Sequence, residues 1–147
     1  MITGIGVDIV NVQRMKHWRQ VSGLLERFFH PQELAAALSR EGSAELSLAA
    51  RFAAKEAFGK ALGTGLQGIV LKDIMVVNRH NGRPEIQVFG TALAALAKSG
   101  ANRMHISLTH ERENAVAMVV MERCWCIWRR QWHRQERRQW RRSSNER

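Results

Sequence analysis

The alanine-rich run from about Ala44 to Leu62 constrains the fold of this chain more than any other segment. Alanine is the residue least costly to place in a helix, so the run predicts one long helix, and Gly63-Thr64-Gly65 supplies its stop. Gly59 should cost some helix stability without removing a reacting group.

Strands and shorter helices are expected on both sides of it. Thr3 to Val12 places Ile5, Val7 and Ile9 on one face and Gly4, Gly6, Asp8 and Val10 on the other, the period of a strand. Asn11 is set to cap a basic amphipathic helix through Arg14, Met15, Trp18 and Arg19. Leu24 to Phe29 reads as a turn or short helix, and Pro31 suits the first position of a helix through Leu34 to Leu38, ended by Glu41-Gly42-Ser43. Ile69 to Asn78 and Glu85 to Phe89 are β-rich runs flanking Asn81-Gly82, a hairpin signal. Thr91 to Lys98 predicts a helix closed by Gly100, with strands to follow at Arg103 to Thr109 and Ala115 to Met121. The expected class is α+β, a single domain with a mostly antiparallel sheet packed against the long helix.

A net charge of +10 over 147 residues points to an acidic partner: nucleic acid, anionic membrane, phosphate-rich cofactor or acidic protein. Its distribution divides the chain. Residues 1–123 carry 15 Lys+Arg against 11 Asp+Glu, whereas 124–147 carry 8 against 2 and four of the five tryptophans. We therefore read 1–123 as the folded domain and 124–147 as a basic Trp/Arg-rich tail, disordered in isolation or facing an acidic surface. Cys124 and Cys126 are too close to staple distant parts of a fold, which fits a reducing, cytoplasmic setting. With His133 they match no strong zinc pattern. The apolar stretch Ile2 to Val12 is broken by Gly4, Gly6, Asp8 and Asn11, so neither a signal peptide nor a membrane span is expected.

Chemistry is suggested by polar groups in apolar places. Asp8 interrupts an apolar strand, where a carboxylate is costly unless paired, hydrogen-bonded or coordinated to a metal; capping the next helix or pairing with a lysine would also account for it. Glu56 and Lys60 project from nearly one face of the long helix, where they could form a plain ion pair. The Gly63-Thr64-Gly65 loop that follows offers small residues and free backbone N–H groups, suited to phosphates. His105, Ser107 and Thr109 share one strand face, with His110 at its end, as a binding face or as ordinary solvent-facing polarity.

Three motifs occur in order: Gly4-Ile5-Gly6-Val7-Asp8-Ile9-Val10, Arg51-Phe52-Ala53-Ala54-Lys55-Glu56-Ala57-Phe58-Gly59-Lys60-Ala61-Leu62-Gly63-Thr64-Gly65, and His105-Ile106-Ser107-Leu108-Thr109-His110. Over about residues 1–122 the chain closely resembles the holo-acyl-carrier-protein synthases, the short 4′-phosphopantetheinyl transferases. The resemblance implies that family's fold and its reaction in fatty acid biosynthesis. A serine of apo acyl carrier protein attacks the β-phosphorus of coenzyme A, taking the 4′-phosphopantetheine arm and releasing adenosine 3′,5′-bisphosphate. By the same resemblance Asp8 and Glu56 are the Mg²⁺ ligands, Lys60 contacts the coenzyme A phosphates, and Gly63, Thr64 and Gly65 shape that pocket. His105 and His110 are expected near the adenosine 3′-phosphate with Arg51. Glu56 is a candidate base, directly or through water, and that choice stays open. A homotrimer with sites between subunits is implied. The acidic carrier protein is expected to dock on the helix bearing Arg14, Met15 and Trp18, although Met15 and Trp18 could equally belong to the core. The alternative is a nucleic-acid or anionic-membrane binding module driven by the tail, which leaves the three motifs unexplained; no nucleic acid is expected as partner, and no membrane span.

Overall fold

The computed structural model describes residues 1–40 and 42–124, and the expectations for Glu41 and for 125–147, including Trp125, Cys126 and His133, lie outside them. In chain order the elements are β1 (Ile2–Asn11), α1 (Val12–Arg19), α2 (Leu24–Phe28), α3 (Pro31–Leu38), α4 (Ala44–Leu62), a 3-10 turn (Leu71–Asp73), β2 (Ile74–Asn78), β3 (Pro84–Val88), α5 (Gly90–Ser99), β4 (Arg103–His110) and β5 (Asn114–Glu122). The α+β class is as expected. Among the described residues every strand pairing is antiparallel, in a three-stranded sheet of order β1-β5-β4 and a separate β2-β3 hairpin.

α4 has the predicted bounds and runs through the middle of the molecule, with Leu48, Ala49, Ala53, Ala54, Ala57 and Phe58 fully buried. Its alanines leave room for β1 to lie almost on its backbone. A Cβ at Gly4 would overlap the Ala61 carbonyl oxygen, and one at Gly6 the Ala57 carbonyl oxygen. The glycines of β1 are thus a condition of strand and helix touching. Gly59 has a similar cause: a Cβ there would come within 2.9 Å of the Gly65 carbonyl carbon and of the Leu66 side chain. The expected helix cost is offset by the loop folding back onto the helix.

Local signals act where expected. The Asn11 side chain accepts the Gln13 N–H at 2.8 Å, and Pro31 opens α3 behind a His30 cap. Gly63 at φ 77° ends α4, and Gly82 at φ 79° turns the hairpin. The strand predicted from Ile69 begins only at Ile74, because Leu71–Asp73 form a 3-10 turn first. Asn102 exchanges two hydrogen bonds with the Cys124 backbone, at 2.8 and 3.0 Å.

The sheet's inner face covers α4. On its outer face Ile5, Val120 and His105 lie in one row, Val7, Met118 and Ser107 in the next, and Ile9, Val116 and Thr109 in a third. Ile5, Val7 and Ile9 are each more than half exposed.

Candidate active site

Asp8 lies on the inner face of β1 between buried Gly6 and Val10, as the alternation predicts. Facing α4, it meets Lys60, whose ammonium donates to Asp8 Oδ1 at 2.7 Å and to the Val7 carbonyl at 3.0 Å. Of the two residues that could have formed a plain ion pair on the helix, Lys60 crosses to the strand instead. Glu56 is half-buried, and its carboxyl is held above the usual glutamate range, first by burial and then by the nearby Asp8 charge. Arg14 and Lys60 pull it in the opposite direction. Two carboxylates from different elements thus converge, with cations from α1 and α4 beside them.

The donor set suits a hard divalent cation. Among the described residues no group of three or more His, Cys, Asp or Glu comes together as a metal cage. Magnesium needs none, since it keeps waters and is commonly bound by one or two carboxylates plus phosphate oxygens. Burial first, and the Asp8 charge second, disfavour a bare negative charge on Glu56, a cost that a bound cation would relieve.

One reading of the glycine loop changes. The Gly63 N–H donates to the Lys60 carbonyl at 3.0 Å and the Gly65 N–H to the Gly59 carbonyl at 3.1 Å. Those amides are engaged by the helix cap, so they are not the free donors that the sequence suggested. The Thr64 hydroxyl is exposed beside them.

A second feature opens on α4. A cavity of about 320 Å³ is lined by Arg40, Ser47, Arg51, Asn78, Pro84 and His110, among others. Arg51 is 4% exposed; its guanidinium donates to the Ser47 carbonyl at 3.2 Å, to the Ser47 hydroxyl and to Asn78 Oδ1 at 3.3 Å. Arg51 Nε is buried with no protein partner, a polar atom still wanting an acceptor. Arg51 and His110 thus line one cavity. His105 is not with them in this chain: it points from the outer sheet face, 3.3 Å from Glu122, toward a groove with Arg79, Arg83 and Arg103.

Sequence reasoning missed Arg40, which lies in an unremarkable stretch, and Asn78, which only the hairpin fold carries to Arg51. It also missed Glu33, 1% exposed, which pairs with the fully buried Lys55 at 2.7 Å. The His30-to-Glu33 spacing of a capping box was the available signal.

On α1, Met15 is fully buried and Trp18 packs against Phe28 and Phe52 at centroid distances of 4.8 and 4.9 Å. Met15 therefore offers no docking area, contrary to one expectation, because it faces the core. The helix presents Arg14, held over the Trp18 ring at 4.7 Å, with Lys16 and Arg19.

A profile described as the 4′-phosphopantetheinyl transferase superfamily matches residues 4–120, the span that holds both carboxylates, Lys60 and the Arg51 cavity. The chain belongs to that superfamily. This transferase is 57% identical to the holo-[acyl-carrier-protein] synthase of Treponema denticola over 122 residues, which cover 83% of this chain and 99% of the relative. Its fold is similar to the crystal structure of the Neisseria meningitidis holo-[acyl-carrier-protein] synthase, with a TM-score of 0.74 and 36% identity, covering 83% and 99% of the two chains. A Bacillus anthracis synthase solved in complex with CoA (3′,5′-ADP) is similar at TM-score 0.70 and 34% identity, covering 84% and 99%. No helix among its described residues is long and apolar enough to cross a membrane.

Proposed function

We propose that this transferase moves the 4′-phosphopantetheine arm of coenzyme A to a serine of apo acyl carrier protein, in fatty acid biosynthesis, releasing adenosine 3′,5′-bisphosphate. Asp8 and Glu56 hold Mg²⁺. The observation that carries this reading is the convergence of Asp8 from β1 with Glu56 and Lys60 from α4, in a chain matched to the superfamily along nearly its whole described length.

In the reaction the serine oxygen forms a bond to the β-phosphorus as the bond from that phosphorus to the bridging oxygen breaks. When bound, magnesium supplies neutralisation of the charge that builds on the pyrophosphate oxygens. Lys60 is exposed enough to exchange its Asp8 contact for a phosphate oxygen and adds a point charge to the same surface. Glu56 is the candidate base for the serine proton, directly or through a water. Arg51, with its unpartnered Nε, and Arg40 and His110 in the same cavity, form a cationic pocket for the nucleotide phosphate.

The acidic carrier protein docks on the basic side of α1, through Arg14, Lys16 and Arg19, with Trp18 at the edge. The exposed apolar rows of the sheet's outer face support a homotrimer in which His105 serves a neighbouring site. The closely spaced cysteines are in keeping with a cytoplasmic setting, and the tail from 124 onward is dispensable for transfer.

Mass spectrometry of apo acyl carrier protein incubated with this chain, coenzyme A and Mg²⁺ tests the reading. The carrier is expected to gain the phosphopantetheine arm, and no gain across several carrier proteins would sink it. Omitting Mg²⁺, or adding a chelator, is expected to stop the transfer.

A further inference from the structure

Glu33 and Lys55 form an ion pair whose side chains are both fully excluded from water, and the transfer chemistry uses neither. Lys55 Nζ directs its donors to Glu33 Oε2 at 2.7 Å, to the Leu71 carbonyl at 3.1 Å and to the Ile74 carbonyl. Glu33 Oε1 accepts the Val76 N–H at 3.0 Å, and Oε2 also accepts the His30 N–H at 3.3 Å. The pair therefore grips β2 at residues 74 and 76. One helical turn before Lys55, Arg51 grips β2 a third time through Asn78.

Removing two charges from water is costly, and well-packed apolar residues in their place are often as stabilising. Stability alone is thus a poor account of why they stand here. What charged groups add is direction, because each hydrogen bond fixes an angle and a distance that apolar contact leaves loose. β2 leads into the hairpin whose Gly82 and Pro84 line the cavity together with Arg51 of α4. A slip of β2 along α4 would change the gap between those walls.

We propose that Glu33 and Lys55 are positioning residues for nucleotide binding, fixing the β2–β3 hairpin against α4 and so setting the width of the cavity between Arg51 and Pro84. This rests on the reading of that cavity as the nucleotide end of the coenzyme A site.

Calorimetric titration of adenosine 3′,5′-bisphosphate into the full chain and into the Glu33→Gln/Lys55→Met double variant tests it, alongside thermal unfolding and steady-state transfer. The double variant is expected to unfold cooperatively, with nucleotide Kd and coenzyme A KM both raised about tenfold while kcat at saturating coenzyme A stays within about twofold. Glu33→Gln alone keeps the side-chain shape and an acceptor for the Val76 N–H, so it serves if the double variant does not fold. It is expected to weaken nucleotide binding by about threefold. Unchanged nucleotide affinity in the variants that fold, with or without a lower melting temperature, would overturn the positioning role, as would a fall in kcat with KM unchanged. Loss of folding in both variants would assign the pair to stability and likewise overturn it. No nucleotide binding by the unaltered protein would overturn the cavity assignment itself, and the proposal with it.

Discussion

Asp8 and Glu56 show how one carboxylate changes another. Glu56 titrates above its ordinary value of 4.5 because burial and the Asp8 charge disfavour its ionised form. The folded chain thus binds that proton more tightly than the unfolded chain does. Its contribution to stability is fully present below about 4.5 and is lost as the pH rises through the folded value. Metal-free Glu56→Gln protein is therefore predicted to be more stable than the unaltered chain at about pH 8 and equal to it at about pH 4, as urea unfolding at the two pH values would read. Greater stability of the unaltered chain at the higher pH would contradict this. Asp8 was legible in the sequence because a carboxylate in an apolar strand demands a partner. That Lys60 is this partner was not, since helical spacing joins Lys60 to Glu56 and only the packing of β1 on α4 joins it to Asp8. The Glu33–Lys55 pair was hidden for the same reason: residues far apart in the sequence meet only once α3 lies against α4.

Among the elements, the contact of β1 with α4 rests on missing side chains. Gly6→Ala would drive a methyl group into the Ala57 carbonyl, so a loss of about 3 kcal/mol is predicted in urea unfolding. A change below about 1 kcal/mol would mean that strand and helix can separate freely. Transfer should fall with it, because Asp8 is two residues further along the same strand. The long helix and the hairpin were legible from alanine content and from Asn81-Gly82, whose signals are local. The late start of β2 was not, since Ile69 and Val70 have strand-forming side chains, and it is tertiary contact that selects a turn there. The helix stop at Gly63-Thr64-Gly65 was legible, but the engagement of the Gly63 and Gly65 amides was not, because glycine signals a turn without saying which carbonyls its amides reach.

On the scale of the whole molecule, the outer sheet face leaves Ile5, Val7 and Ile9 in water beside Met118, a patch that assembly would cover. Val7→Glu is predicted to convert the proposed trimer to monomer in light scattering, with the monomer fold retained, since position 7 faces away from α4. A trimer that survives would place the interface elsewhere. Removing residues 124–147 should leave transfer intact, as the superfamily match ends at residue 120. Loss of transfer on that deletion would instead give the tail a catalytic part. Asp8 and Glu56 are proposed to hold jointly the magnesium ion at which coenzyme A is cleaved. Magnesium-dependent transfer by Asp8→Ala and by Glu56→Ala, each first checked for native circular dichroism, tests this. Both variants are predicted to be folded and to have lost transfer, and full activity in either one would contradict the site.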